Sequence, residues 1–204
     1  MSRKFESKKS NPIYSTIILV VIASFVTFAL ATTNLLTSDI IEQQRAQALA
    51  KAMSEVYPDA SGFELLDSNL WQDNLTGIES AYKVFDESGN LIGLVIVSKA
   101  RGYGGDVTTM AGISTDGKFE GFLVLSDSET PGLGKKIGDK SFTNKFLGRQ
   151  PWQFFSVAVI SDNINYIDSI AGATISSRAM TESANEVISF AKEIYKILDM
   201  GGDN

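Results

Sequence analysis

The sequence predicts an α+β fold: one N-terminal transmembrane helix followed by an antiparallel-sheet domain with flanking helices. Three observations carry that expectation. Residues 10–38 hold no charged side chain, and the densest apolar part, residues 13–36, is long enough to cross a bilayer. Four β-type runs between Ala81 and Ser126 are joined by short turns, so successive strands pair antiparallel. After Thr174 the pattern turns amphipathic and helical to the end of the chain. Strands in series with helices at both ends fit α+β better than a doubly wound sheet, and no strand–GxGxxG–helix unit marks a dinucleotide fold.

The elements follow in order. At about 1.5 Å per residue, residues 13–36 span a hydrocarbon core of roughly 30 Å. Arg3, Lys4, Lys8 and Lys9 precede them; Asp39 and Glu42 follow. The positive-inside rule makes residues 1–12 a cytoplasmic segment and puts the rest of the chain beyond the membrane. A cleaved leader is the rival, because Ala29-Leu30-Ala31 resembles a processing site; it ranks second, since the apolar run continues past that triplet. Residues 37–60 read as a helical stalk, rich in Gln, Ala, Glu and Lys and stopped by Pro58. Residues 61–204 form the domain.

Within it, residues 61–79 give no clear element. Residues 81–85, 91–100, 107–114 and 119–126 read as strands, with Ser88-Gly89-Asn90 and Asp116-Gly117 as turns. Arg101-Gly102-Tyr103-Gly104-Gly105 is a permissive loop. Pro131-Gly132 signals a type II turn inside residues 127–134. Residues 139–147 suggest a short helix and residues 153–160 a further strand. In the last helix Met180, Ala184, Val187, Ala191, Ile194 and Leu198 form one apolar stripe for packing on the sheet.

Composition removes whole classes of chemistry. With no cysteine and no histidine, the chain has no thiol nucleophile, thiolate cluster, Ser-His-Asp triad or imidazole ligand. No metal site is predicted, and redox chemistry would require a bound organic cofactor. A net charge of -6 argues against nucleic acid as a partner.

The richest segment is Asp168-Ser169-Ile170-Ala171-Gly172-Ala173-Thr174. It places a hydroxyl after two small residues and at the start of a long helix, where unpaired N–H groups and the macrodipole favour an anion such as phosphate. Alone, a threonine there is ordinarily a helix cap.

Taken with the membrane helix and the loop Ser128-Glu129-Thr130-Pro131-Gly132-Leu133-Gly134, however, this segment resembles the FMN-binding-domain family of ion-pumping redox complexes. The likeness covers nearly the whole chain. Two branches of that family are the G subunits of Rnf complexes and the C subunits of the sodium-pumping NADH:quinone reductase; the compact length fits the Rnf branch better. The resemblance implies an FMN phosphate esterified to Thr174 by a separate flavin transferase that uses FAD and Mg²⁺, with Asp168 in the transferase's recognition pattern. It also implies that Glu129, Thr130, Gly132, Leu133 and Gly134 lie near the flavin, beside Gly172 and Ala173. The position of Ala171 is commonly Ser or Thr in the family, a departure expected to have a small effect.

The implied function is electron relay, without a complete active site of its own, inside a multi-subunit membrane complex coupling ferredoxin:NAD⁺ oxidoreduction to Na⁺ or H⁺ transport. A stand-alone tethered flavoprotein and a non-enzymatic anchored assembly module remain as alternatives. Ser176 and Ser177 are candidate donors to the phosphodiester, or ordinary first-turn residues. Arg178 is a candidate counter-charge or a solvated arginine. Tyr103 and Trp152 are candidate stacking residues or plain core aromatics.

Overall fold

The computed structural model describes residues 12–68, 71, 77–158 and 163–198. The chain divides after Ala48 into two compact units. The first holds most of helix α1 (Pro12–Val56). Pro12 suits a helix start, where its missing N–H is not needed. Within α1, Ile13–Thr33 has a mean hydropathy of 2.4 and no buried residue. Its length matches a hydrocarbon core of about 30 Å. The hydroxyls of Thr27, Thr32 and Thr33 donate to the carbonyls of Ala23, Phe28 and Ala29, so their hydrogens are satisfied within the helix. This is the expected apolar helix, long and apolar enough to cross a membrane; Arg3, Lys4, Lys8 and Lys9 lie outside the described residues.

The second unit begins at Leu49, inside the segment expected as stalk. There the end of α1 and the residue after it are domain structure: Ala52, Met53, Val56 and Tyr57 are buried against the sheet with Val84, Val95, Val97 and Met110. Burial pushes the Tyr57 hydroxyl pKa well above the ordinary tyrosine value. The helix ends at Val56, two residues before Pro58, as the backbone preference of a pre-proline residue requires.

Five strands follow: β1 (Gly62–Leu65), β2 (Ile78–Phe85), β3 (Leu91–Arg101), β4 (Asp106–Ser114) and β5 (Phe119–Ser126). They lie in sequence order as an antiparallel meander. Strand β3 reads as a continuous apolar run because both its faces are covered. Leu94 and Ile96 face one core and Val95 and Val97 the other. The first core is closed by α3 (Thr174–Ile197), whose Met180, Ala184, Val187, Ala191 and Ile194 are buried along the expected stripe. At its centre Ser98 and Thr109, opposed across β3 and β4, meet Ser183 of α3 in a closed ring of hydroxyls.

Some local expectations are corrected. β1 emerges from residues 61–79, where no element was predicted. The helix expected at residues 139–147 is broken into α2 (Lys140–Thr143) and a 3₁₀ turn, Asn144–Phe146, preceded by another 3₁₀ turn, Gly134–Gly138. Phe142 and Phe146 pin these pieces, with Phe146 edge-on to Phe122 and tilted against Phe155 at centroid separations of 4.7 and 5.0 Å. The strand expected at residues 153–160 shrinks to β6 (Phe155–Ser156), paired in parallel with β7 (Asn165–Tyr166); residues 159 and 160 lie outside the described residues. Side-chain amides replace the missing ladder. Asn185 bonds both backbone groups of Phe155 at 2.7 and 3.0 Å, and Asn165 bonds the backbone of Gln150 and Gln153.

Candidate functional site

The first turn of α3 opens onto a cleft of about 550 Å³ lined by Tyr103, Glu129, Thr130, Leu133, Gly134 and residues 172–176. Three chain segments that are distant in sequence meet there.

One is the helix start. Ile170 to Ala173 form a turn closed by the Ala173 N–H on the Ile170 carbonyl at 2.9 Å, with Gly172 at φ 78°. That left-handed backbone is the reason for a glycine. The Ala173 carbonyl then accepts the first helical bond, from Ser177 N–H at 2.9 Å. No side chain caps the helix and no acidic residue stands in its first turn. The amides of Thr174, Ile175 and Ser176 therefore have no helical partner, and the positive end of a 24-residue helix faces the cleft. Thr174 itself is exposed.

The second segment is the loop after β5. Thr130 to Leu133 make the expected type II turn, with Gly132 at φ 79° and Leu133 N–H on the Thr130 carbonyl at 3.2 Å. Asp127 braces its base by accepting from Glu129 N–H at 2.9 Å and from Lys135 at 3.1 Å. The third segment is the glycine loop around Tyr103. Glu129 ties all three together. Its carboxylate accepts from the Tyr103 and Gly104 N–H groups at 2.7 and 3.2 Å and from the Ser176 hydroxyl at 2.8 Å. A Cβ on Gly102 or Gly134 would collide with this carboxylate, so both positions stay bare.

The cleft has apolar edges that water covers poorly. Tyr103, Leu133 and Ile175 are 70%, 47% and 49% exposed. Exposed apolar side chains around an uncapped helix end suit a flat, partly apolar molecule with an anionic group.

The structure brings Thr174, Gly172, Ala173, Ser176, Glu129, Thr130, Leu133 and Gly134 to one cleft. Three other candidates lie away from the cleft lining. Ser177 is fully buried and does not line the cleft; its hydroxyl donates to the Ala173 carbonyl and accepts from Ile170 N–H, both at 3.0 Å, so it braces the turn. Gly132 shapes its turn without lining the cleft. Trp152 packs edge-on against Tyr195 in the core, at a centroid separation of 5.9 Å. Arg178 is exposed on the helix. Asp168 is exposed six residues before Thr174, its backbone carbonyl held by Lys145 at 3.1 Å. A hydrogen bond to the Asp168 carboxylate raises the Tyr166 pKa. Sequence reasoning missed the joint held by Glu129; the glycines flanking Tyr103 were its only trace.

The domain that holds this cleft belongs by sequence to the FMN-binding class. Residues 102–189 match the FMN-binding domain family, and residues 8–56 match the N-terminal region of RnfG. The G subunit of an ion-translocating oxidoreductase complex from Methanosarcina acetivorans is 32% identical over 186 residues, covering 91% of this chain and 96% of that one. The G subunit of the Na⁺-translocating ferredoxin:NAD⁺ oxidoreductase complex from Acetobacterium woodii is 30% identical, covering 88% and 91%. The chain belongs to this family, the G subunits of ion-translocating oxidoreductase (Rnf) complexes. The fold is shared with NqrC of Shewanella oneidensis, whose crystal structure matches at a TM-score of 0.50 and 16% identity over 72% of this chain and 74% of that one.

Proposed function

We propose that this chain is the FMN-carrying electron-relay subunit of a membrane complex that couples ferredoxin:NAD⁺ oxidoreduction to ion transport, with the flavin held through a phosphoester on Thr174. The observation that carries the reading is the exposed Thr174 hydroxyl at the uncapped start of α3, inside a cleft with apolar edges. The family's members work in multi-subunit membrane assemblies, so the partners are the other subunits of the complex.

Bound FMN supplies reversible electron uptake, which a chain without cysteine or histidine does not offer from those side chains. The protein binds and orients. The amides at the start of α3 stabilise the negative charge of a phosphodiester. Leu133, Ile175 and Tyr103 offer apolar contact to a ring, and Gly172 and Ala173 keep the approach to Thr174 free of bulk. Attachment is the work of a flavin transferase that reads the exposed Asp168 segment. In that step Thr174 Oγ1 bonds to the phosphorus nearest riboflavin in FAD, the pyrophosphate bond breaks, AMP leaves, and the threonine proton passes to solvent.

The charge pattern around the span supports one topology. Four basic residues precede it and Asp39 and Glu42 follow, so the N-terminus is cytoplasmic and the domain lies outside. A covalent tether keeps the cofactor from being lost there. The test is Thr174→Val in the full chain, produced with a flavin transferase. The FMN mass increment and in-gel flavin fluorescence should vanish while the fold persists. Covalent flavin retained in that variant overturns the assignment.

A further inference from the structure

Glu129 is 2% exposed, yet it lines the cleft. Among the described residues its oxygens accept from two backbone N–H groups, of Tyr103 and Gly104, and from the Ser176 hydroxyl. Among the described residues no cation pairs with it. Lys135, six positions on, is held by Asp127 at 3.1 Å. An ionised carboxylate accepts all three bonds, so the arrangement stores a negative charge in the cleft wall with dipoles alone to balance it. Positioning could have been achieved with a neutral amide. Keeping a charge here has an electrical consequence.

We propose that Glu129 sets the reduction potential of FMN in this cleft, holding it low by the field of its buried carboxylate. The inference rests on the reading that places FMN there. At neutral pH, two electrons and one proton convert the oxidised ring to its anionic reduced form, a gain of one negative charge. A like charge nearby in a poorly solvated wall disfavours that form and lowers the potential. The flanking Gly102 and Gly134 leave room for the carboxylate just beneath the cleft surface, where little water screens it.

The test compares Glu129→Gln with Ser176→Ala in the full chain, produced with a flavin transferase and purified in detergent. Glu129→Gln keeps the size and an acceptor for the Tyr103 and Gly104 amides but removes the charge. Ser176→Ala keeps the charge and removes one donor. Each is read by intact mass and by the midpoint potential from spectroelectrochemistry with mediators. The expected result is covalent FMN in both, a more positive potential for Glu129→Gln, and a potential below that of the parent for Ser176→Ala. A flavinylated Glu129→Gln protein with the parent's potential overturns the proposal and leaves Glu129 a brace only. Should Glu129→Gln fail to fold, Ser176→Ala still decides: losing a donor leaves the carboxylate less balanced, so a potential below the parent's supports the proposal, and one equal to or above it overturns it. A parent chain without covalent FMN refutes the underlying functional reading, an outcome distinct from an unshifted potential.

Discussion

The hydroxyl ring of Ser98, Thr109 and Ser183 fixes how α3 sits on the sheet, and so where the helix presents Thr174. All three residues are fully buried. Three hydroxyls closing a ring each donate once and accept once. Ser183→Ala removes two of the three bonds and leaves Ser98 and Thr109 sharing one, at 3.1 Å. One hydroxyl hydrogen is then buried without an acceptor, at a cost of about 1–3 kcal/mol. In a domain of this size each kcal/mol lowers Tm by about 2–4 °C, so the single variant should melt roughly 2–12 °C below the parent. Replacing all three, as Ser98→Ala with Thr109→Val and Ser183→Ala, orphans nothing and nearly conserves volume. The triple variant should therefore melt closer to the parent than Ser183→Ala does. Both tryptophans, Trp71 and Trp152, belong to the domain, so tryptophan fluorescence during heating of the full chain in detergent reports its unfolding without interference from the membrane helix. Costs that simply add, with the triple variant the least stable, would refute the reasoning.

Other expectations follow from the same structure. Gly172→Ala must adopt φ 78° but has room for its Cβ, the nearest contact being Leu133 at 3.5 Å. It should lose about 1–2 kcal/mol by thermal melt and still accept FMN by mass; loss of flavin at full stability would contradict that. Glu186 has an oxygen buried without a partner among the described residues, and burial, then the nearby Glu182 charge, raises its pKa above the ordinary 4.5. A raised folded-state pKa favours the fold below the unfolded value and penalises it once pH passes the folded value. Glu186→Gln should therefore raise Tm at pH 8 and lose that gain near pH 4. An equal gain at both pH values would sink the idea.

Much of this fold is legible in the sequence where the signal is local and long. The membrane helix, β3, β4, β5 and α3 each follow from apolar runs or periodicity, and the Thr130–Leu133 turn from Pro131-Gly132. What escapes is short or tertiary. β1 has four residues at a sheet edge, and β6 and β7 have two each, held by the amides of Asn185 and Asn165. Residues 134–147 avoid a regular helix because Phe142 and Phe146 are drawn into the aromatic cluster. At the site, Thr174 and Gly172 are visible from helix-start and turn chemistry. The role of Glu129 is not, since its partners lie 25, 26 and 47 residues away. Ser177 shows the converse: its position in the first turn suggested a ligand contact, but its hydroxyl is consumed by its own turn.

A flavin ester at a single side chain is open to direct measurement. Trypsin should release residues 150–178 as one peptide, because no Lys or Arg lies between Arg149 and Arg178. Tandem mass spectrometry of that peptide, from chain made with a flavin transferase, should place the FMN increment on Thr174. An unmodified peptide, or an increment on Ser169, Ser176 or Ser177, would contradict the account.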